Sequence, residues 1–121
     1  AEELVDLVDT LSKEYNNVGI CWDFEHADIM KQGQGPALKM IGSRLKATHV
    51  SDNIGIQNDH ILPYSGYTDW TEIMQILKEI KYQGDFTYEI HRYITQLPDA
   101  LVVAALKYSV EVGNYLLSLA K

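Results

Sequence analysis

Apolar residues Leu4, Leu7, Val8, Leu11 and Tyr15 recur at helical spacing, with acidic residues early and a lysine late, as the helix dipole favours. Residues 2–15 are therefore predicted to form an amphipathic helix, which Asn16 and Asn17 end. The run VGICWDF that follows is short and mostly apolar, as expected of a strand buried on both faces. Residues 26–45 are less regular: KQGQGP reads as a loop, and Pro36 suits the first position of a helix through Met40 and Ile41. A second short strand is predicted over residues 45–50. Residues 51–67 make a polar, glycine-containing connection of a length that compact domains rarely carry unless it serves a site. Thr68 or Asp69 can cap a helix bearing Ile73, Met74, Ile76, Leu77 and Ile80, again at helical period. After the turn YQGD comes a third strand, FTYEI. The last helix, residues 98–119, is apolar around most of its circumference and needs cover on more than one side.

Strands alternating with helices imply an α/β fold with a parallel sheet. Three parallel strands make a poor sheet alone, so the expected architecture is the C-terminal part of a (β/α)8 TIM barrel, with a small open sheet as the rival. No linker or low-complexity segment divides the chain, and residues 1–121 read as a single partial domain. The chain opens at Ala1 without an initiator methionine or a leader, as expected of a cut edge.

Composition narrows the partners. A net charge of -7 repels phosphate backbones and anionic membrane surfaces, so neither nucleic acid nor membrane is expected. Lys107 and Glu111 interrupt the most apolar segment, residues 100–119, which is read as not crossing a bilayer. Cys21 is the lone cysteine, which excludes an internal disulfide and a multi-thiolate zinc site and is expected of a reducing cytoplasm.

The polar residues then acquire a pattern. Asp23, His49 and Glu89 each fall at the carboxyl end of a predicted strand. In parallel α/β folds those ends open onto one rim, where residues distant in sequence converge. An Asp, a His and a Glu supply oxygen and nitrogen ligands suited to Mn²⁺, Mg²⁺, Co²⁺ or Zn²⁺. Each has a plainer reading: Asp23 as a turn or cap residue, His49 as a hydrogen-bonded core histidine, Glu89 as the partner of Arg92, Arg44 or a lysine.

With these residues in place the chain resembles the xylose-isomerase-like sugar phosphate isomerase/epimerase superfamily of TIM barrels, which includes endonuclease-IV-type enzymes. NNVGICWDFEHA is similar to that family's strand ending in D-x-x-H, here Asp23 and His26. RLKATHVSDNIG resembles the next strand, with His49, and NDHILPYSGYTDWTEIMQILKEIKYQGDFTYEI resembles the long loop, helix and final strand, with Glu89. The resemblance implies that Asp23, His49 and Glu89 are three of four ligands to one divalent metal ion, the fourth being a Glu on an earlier strand. It also implies that Glu89 carries a proton as one of an acid/base pair, and that the substrate is a sugar, sugar phosphate or keto-polyol. His26 would bind a substrate oxygen or, in the endonuclease-like branch, a further metal; His60 would touch substrate. Asp52 and Asp59 read as loop-turn and capping residues, with Asp52 the better candidate to orient His49.

Two departures stand out. Related barrels carry D-x-H ahead of PGxG, where this chain has Asn58 in the first position and Tyr64 in place of the glycine. Asn58 is a poor cation ligand and, with the acidic charge, disfavours an abasic-site endonuclease. No arginine follows shortly after His49, where some ketose epimerases of the family hold substrate hydroxyls. His91 and Arg92 are expected at the solvent-exposed rim, Trp22 and Trp70 in packing, Trp70 alternatively walling the pocket. The reading from another class is a catalytically inert binding fragment. Exposed strand edges and helix faces predict a homo-oligomer, with residues 98–119 and the strand near Val18 buried between copies.

Overall fold

The structure, a computed structural model, describes residues 1–55 and 59–121. Asn58 lies outside the described residues. In chain order the elements are α1 (Glu2–Leu11), β1 (Ile20–Asp23), α2 (Phe24–Ile29), α3 (Gln34–Ile41), a 3-10 turn (Gly42–Arg44), β2 (Leu45–Val50), α4 (Trp70–Glu79), β3 (Asp85–Tyr88), α5 (His91–Thr95) and α6 (Asp99–Leu119). The three strands form one parallel sheet in the order β1-β2-β3. The chain is α/β, three parallel strands with flanking helices, as the alternation of its patterns predicts.

Two short helices, α2 and α5, escaped the pattern. Phe24 to Ile29 is too short to show a period, and its start is written in Asp23, whose carboxylate accepts from the His26 backbone N–H at 2.9 Å. Pro36 sits in the first turn of α3 but third rather than first, still where a missing N–H costs no helical bond. Asp69, one of the two predicted caps, accepts from Glu72 N–H at 3.0 Å and starts α4.

The sheet is two-faced. Register aligns Trp22, Thr48 and Phe86 on one face, and Asp23, His49 and Thr87 on the other. The first face lies under the helices. Phe24 and Trp70 meet edge to face at 5.4 Å, and fully buried Leu38, Ile41, Ile73 and Val50 complete the layer, each large aliphatic contributing roughly 1.5–3 kcal/mol of transfer energy. On the second face Cys21 and His49 are exposed. A strand buried on both sides, expected of VGICWDF, is therefore corrected to one that alternates: Ile20 and Trp22 are buried, Cys21 exposed. A register shift between Ile20 and Cys21, which skips Lys46, keeps Cys21 beside Ala47 on the open face.

α6 packs on α4 through Ala105, Ser109, Val112, Gly113 and Leu116, and the Tyr88 hydroxyl ties it to the sheet by donating to the Ser109 carbonyl at 2.9 Å. Burial pushes the Tyr88 phenol up to about 12, so it remains a donor across the working pH range. The far side of α6 exposes Leu101, Val103, Leu106, Tyr108, Val110 and Leu117. At 21 residues α6 is long and apolar enough to span a bilayer, which corrects the reading that Lys107 and Glu111 forbid it. A helix with one stripe against a core and a second apolar stripe outward passes the same test.

Candidate metal centre

The open face of the sheet brings the three strand tips together. Asp23 and His49 are register partners, and Glu89 lies one residue past β3, its backbone N–H still donating to the Val50 carbonyl at 3.0 Å. His49 Nδ1 stands 3.6 Å from Asp23 Oδ2 and 3.1 Å from Glu89 Oε2. One ligand atom from each of Asp23, His49 and Glu89 lies within 4.8 Å of the other two. Ligands about 2.0–2.2 Å from a common ion stand no more than about 4.4 Å apart, so movements of a few tenths of an ångström would close the set.

The Glu89 carboxylate separates metal binding from the plainer ion pair. Its Oε2 atom is sealed from solvent and has no hydrogen-bond partner among the described residues, because the nearby His49 nitrogen is not aligned to donate. A buried carboxylate oxygen in that state is costly without a cation. Neither arginine of the plainer reading supplies one: Arg44 grips Asp9 through Nη2 at 2.7 Å, and Arg92 is exposed. The donor set, two carboxylates and one imidazole, fits a hard to borderline divalent ion.

The two oxygens of Asp23 face different partners. Oδ1 caps α2 while Oδ2 faces His26 Nδ1 at 3.3 Å and His49. The D-x-x-H spacing thus has a mechanical basis: the cap fixes the first turn, and the third residue of that turn returns its ring to the carboxylate. Cys21, two residues earlier on the same face, has its thiol pushed up chiefly by burial, with the charges of Asp23 and Glu89 adding.

A fully buried carboxylate, Glu25, was missed in the sequence. It accepts from Ser51 Oγ at 2.7 Å, from the His60 backbone N–H at 3.0 Å and from the Asp59 N–H, and its Oε2 lies 3.0 Å from His60 Nδ1. Its only signal was position: an acid between Phe24 and His26 in a first helical turn that buries two of its residues. His60, expected at the substrate, is only 4% exposed, with Nδ1 3.0 Å from Glu25 Oε2 and 3.4 Å from Ser51 Oγ, so little of its ring is open to the site. His60 also has a left-handed backbone, φ 44°, held by these contacts.

Asp52 does not orient His49, correcting that expectation. Its carboxylate accepts from Asn53, Tyr64, Gly66 and Thr68 backbone N–H groups and from the Trp70 indole at 2.9 Å. It folds the loop around itself, as the loop-turn reading has it. Trp70 is correspondingly a core residue, 1% exposed, rather than a pocket wall. Tyr64 adopts φ 71°, the backbone that favours the glycine expected there. Asp59 holds Ile54 N–H at 2.9 Å, and His91 and Arg92 are exposed as predicted.

Residues 1–111 match the family model described as xylose isomerase-like TIM barrel. The chain belongs to this family. A D-psicose 3-epimerase of Enterocloster bolteae is 35% identical over 83 residues, covering 69% of this chain and 25% of that protein. An uncharacterized protein, y4fM of Sinorhizobium fredii, is 34% identical over 98 residues, 78% of this chain and 32% of its own length. Among solved structures, D-psicose 3-epimerase with D-tagatose from Clostridium cellulolyticum H10 superposes with a TM-score of 0.75 at 23% identity, covering 96% of this chain and 43% of that one. A second D-psicose 3-epimerase structure, in the presence of D-fructose, gives 0.71 at 20% identity. The chain therefore spans a third or less of the curated relatives it matches, and its fold is part of a TIM barrel related to sugar epimerases and isomerases.

Proposed function

We propose that Asp23, His49 and Glu89 hold one divalent metal ion, and that this chain is the C-terminal barrel portion, a single partial domain, of a sugar or keto-polyol isomerase or epimerase. The observation that carries the reading is the solvent-sealed oxygen of Glu89, without a hydrogen bond among the described residues and 3.1 Å from His49 Nδ1, beside Asp23 at the strand tips. The relatives named D-psicose 3-epimerase support a free ketose as the substrate class. A fourth ligand would come from a Glu on an earlier strand of the barrel. The ion, Mn²⁺, Mg²⁺, Co²⁺ or Zn²⁺, would polarise the ketose carbonyl and stabilise the negative charge that develops as a proton leaves the adjacent carbon.

The residues of this chain do the rest. Glu89 takes or returns the proton on one face of the substrate, its carboxylate held at the rim by the Val50–Glu89 backbone bond. His26, about half exposed beside Asp23, donates to a substrate oxygen. An exposed single thiol, Cys21, accords with a reducing cytoplasm.

The test uses the full-length protein with D-fructose, D-tagatose or D-psicose in D₂O. Deuterium is expected at the carbon next to the carbonyl, with the epimer accumulating and both lost on chelation. Unlabelled ketose in all three reactions, with metal supplied, would remove the proposal.

By itself the chain lacks the second proton carrier and is expected to be inert. Its exposed α6 face and the strand near Val18 are apolar, and a second copy is proposed to cover them. Sedimentation of the 121-residue chain should give a dimer or larger species. A monomer at high protein concentration would contradict this.

A further inference from the structure

His60, Glu89 and His91 converge in a way that the proposed metal centre does not use. A ligand atom from each lies within 4.8 Å of the other two. No hydrogen bond described for these residues joins any of them to another, and the imidazoles of His60 and His91 meet with centroids 4.4 Å apart, tilted by 45°. Two imidazoles and a carboxylate gathered without mutual hydrogen bonds form a donor set in need of a common partner.

The second observation lies behind His60. Glu25 is fully buried, accepts from Ser51 and from two backbone N–H groups, and stands 3.0 Å from the His60 ring. The Glu25 carboxylate 3.0 Å from Nδ1 and the Ser51 hydroxyl 3.4 Å from it occupy that edge of the ring, so Nε2 is the nitrogen left to face a shared ligand. This is the arrangement by which carboxylates orient histidines that ligate metals. The protein has paid for it with a fully desolvated Glu25 and a left-handed backbone at His60.

We propose that His60, Glu89 and His91 form a second divalent-cation position, and that Glu89 bridges it to the position held by Asp23 and His49. The inference rests on the reading of Glu89 as a metal ligand. The two positions differ in chemistry. Two carboxylates with one imidazole accept Mg²⁺ or Mn²⁺, whereas two imidazoles with one carboxylate favour Co²⁺ or Zn²⁺. Three protein ligands leave coordination open for an oxygen of the ligand, and a shared carboxylate places two cations about 3.5–4 Å apart, able to grip two neighbouring oxygens of one polyol. His91 is the natural residue to probe because it is exposed, so its removal leaves the core untouched.

The test is equilibrium dialysis of the full-length protein against Co²⁺, with bound metal counted by atomic emission and ligand type followed by visible absorption. Wild type is expected to bind two equivalents, His91→Ala one, Asp23→Asn one, and Glu89→Gln none tightly, all with unchanged circular dichroism. Dialysis against Mg²⁺ should give one equivalent, lost in Asp23→Asn and kept in His91→Ala. Equal Co²⁺ content and spectra in wild type and His91→Ala would overturn the second position whatever Asp23→Asn does. Unchanged content in Asp23→Asn, with a loss in His91→Ala, would instead overturn the first position and leave the second standing.

Discussion

Glu89→Gln in the full-length protein is expected to lower kcat for ketose epimerisation about a thousandfold or more, because a proton carrier and a cation ligand disappear together. The carboxamide keeps the size of the side chain, so substrate access is little changed. Stability should move the other way. Ligand atoms of Asp23 and Glu89 lie within 4.8 Å of each other in the metal-free protein, and replacing one carboxylate by a neutral amide removes that like-charge repulsion, so the midpoint should rise slightly. The measurements are steady-state turnover with saturating metal and a urea midpoint in chelator. Retained turnover would remove Glu89 from the chemistry. A lower midpoint in chelator would show that Glu89 is held by ordinary internal contacts and does not await a cation. His49→Ala should lose activity as well, though without the gain in stability.

Asp52→Ala is expected to cost about 3–5 kcal/mol, the largest loss of stability of any single substitution considered. Its carboxylate collects four backbone N–H groups and the indole of Trp70, which is itself buried in the core. Alanine leaves those donors without an acceptor where water has little access. Asp59→Ala serves as the comparison, since that carboxylate takes one described backbone bond, from Ile54, and about 1 kcal/mol should follow. Urea unfolding of the two variants reads the difference directly. If Asp52→Ala does not fold, Asp52→Asn keeps one acceptor oxygen and should fall between them. Near-equal losses in Asp52→Asn and Asp59→Ala would show that the loop holds without a central carboxylate.

The elements that could be read from the sequence are those long enough to repeat a period, although in α1 only Val8 of the repeating positions is buried and Leu4, Leu7 and Leu11 are exposed. α1, α4 and α6 carry enough turns for their apolar positions to recur, and β2 and β3 are short runs of strand-forming residues between turn signals. α2 has six residues, too few for a period, and only its cap announces it. The sidedness of β1 was misread because Cys21 counts as apolar although it faces the open side, so a strand covered on one face looked like one covered on both. Asp23, His49 and Glu89 could be found because strand ends are visible in sequence and parallel strands bring their ends to one rim. Glu25 and the work of Asp52 could not. Both act by collecting backbone N–H groups, and a backbone donor leaves no letter in the sequence. The role of His60 was obscured for the same reason, its neighbour Glu25 standing 35 residues away.

The three-stranded sheet has one further consequence. β2 is paired on both sides, whereas β1 and β3 each keep one row of peptide groups unpaired within the sheet, and parallel strands allow the β3 row of one molecule to meet the β1 row of another in the same direction. Such head-to-tail addition closes only if the strands sum to a permitted ring. Eight is not a multiple of three, so copies of this chain cannot tile the ring that its relatives close. Growth along that path would yield a ring of the wrong girth or an open ribbon rather than the closed barrel.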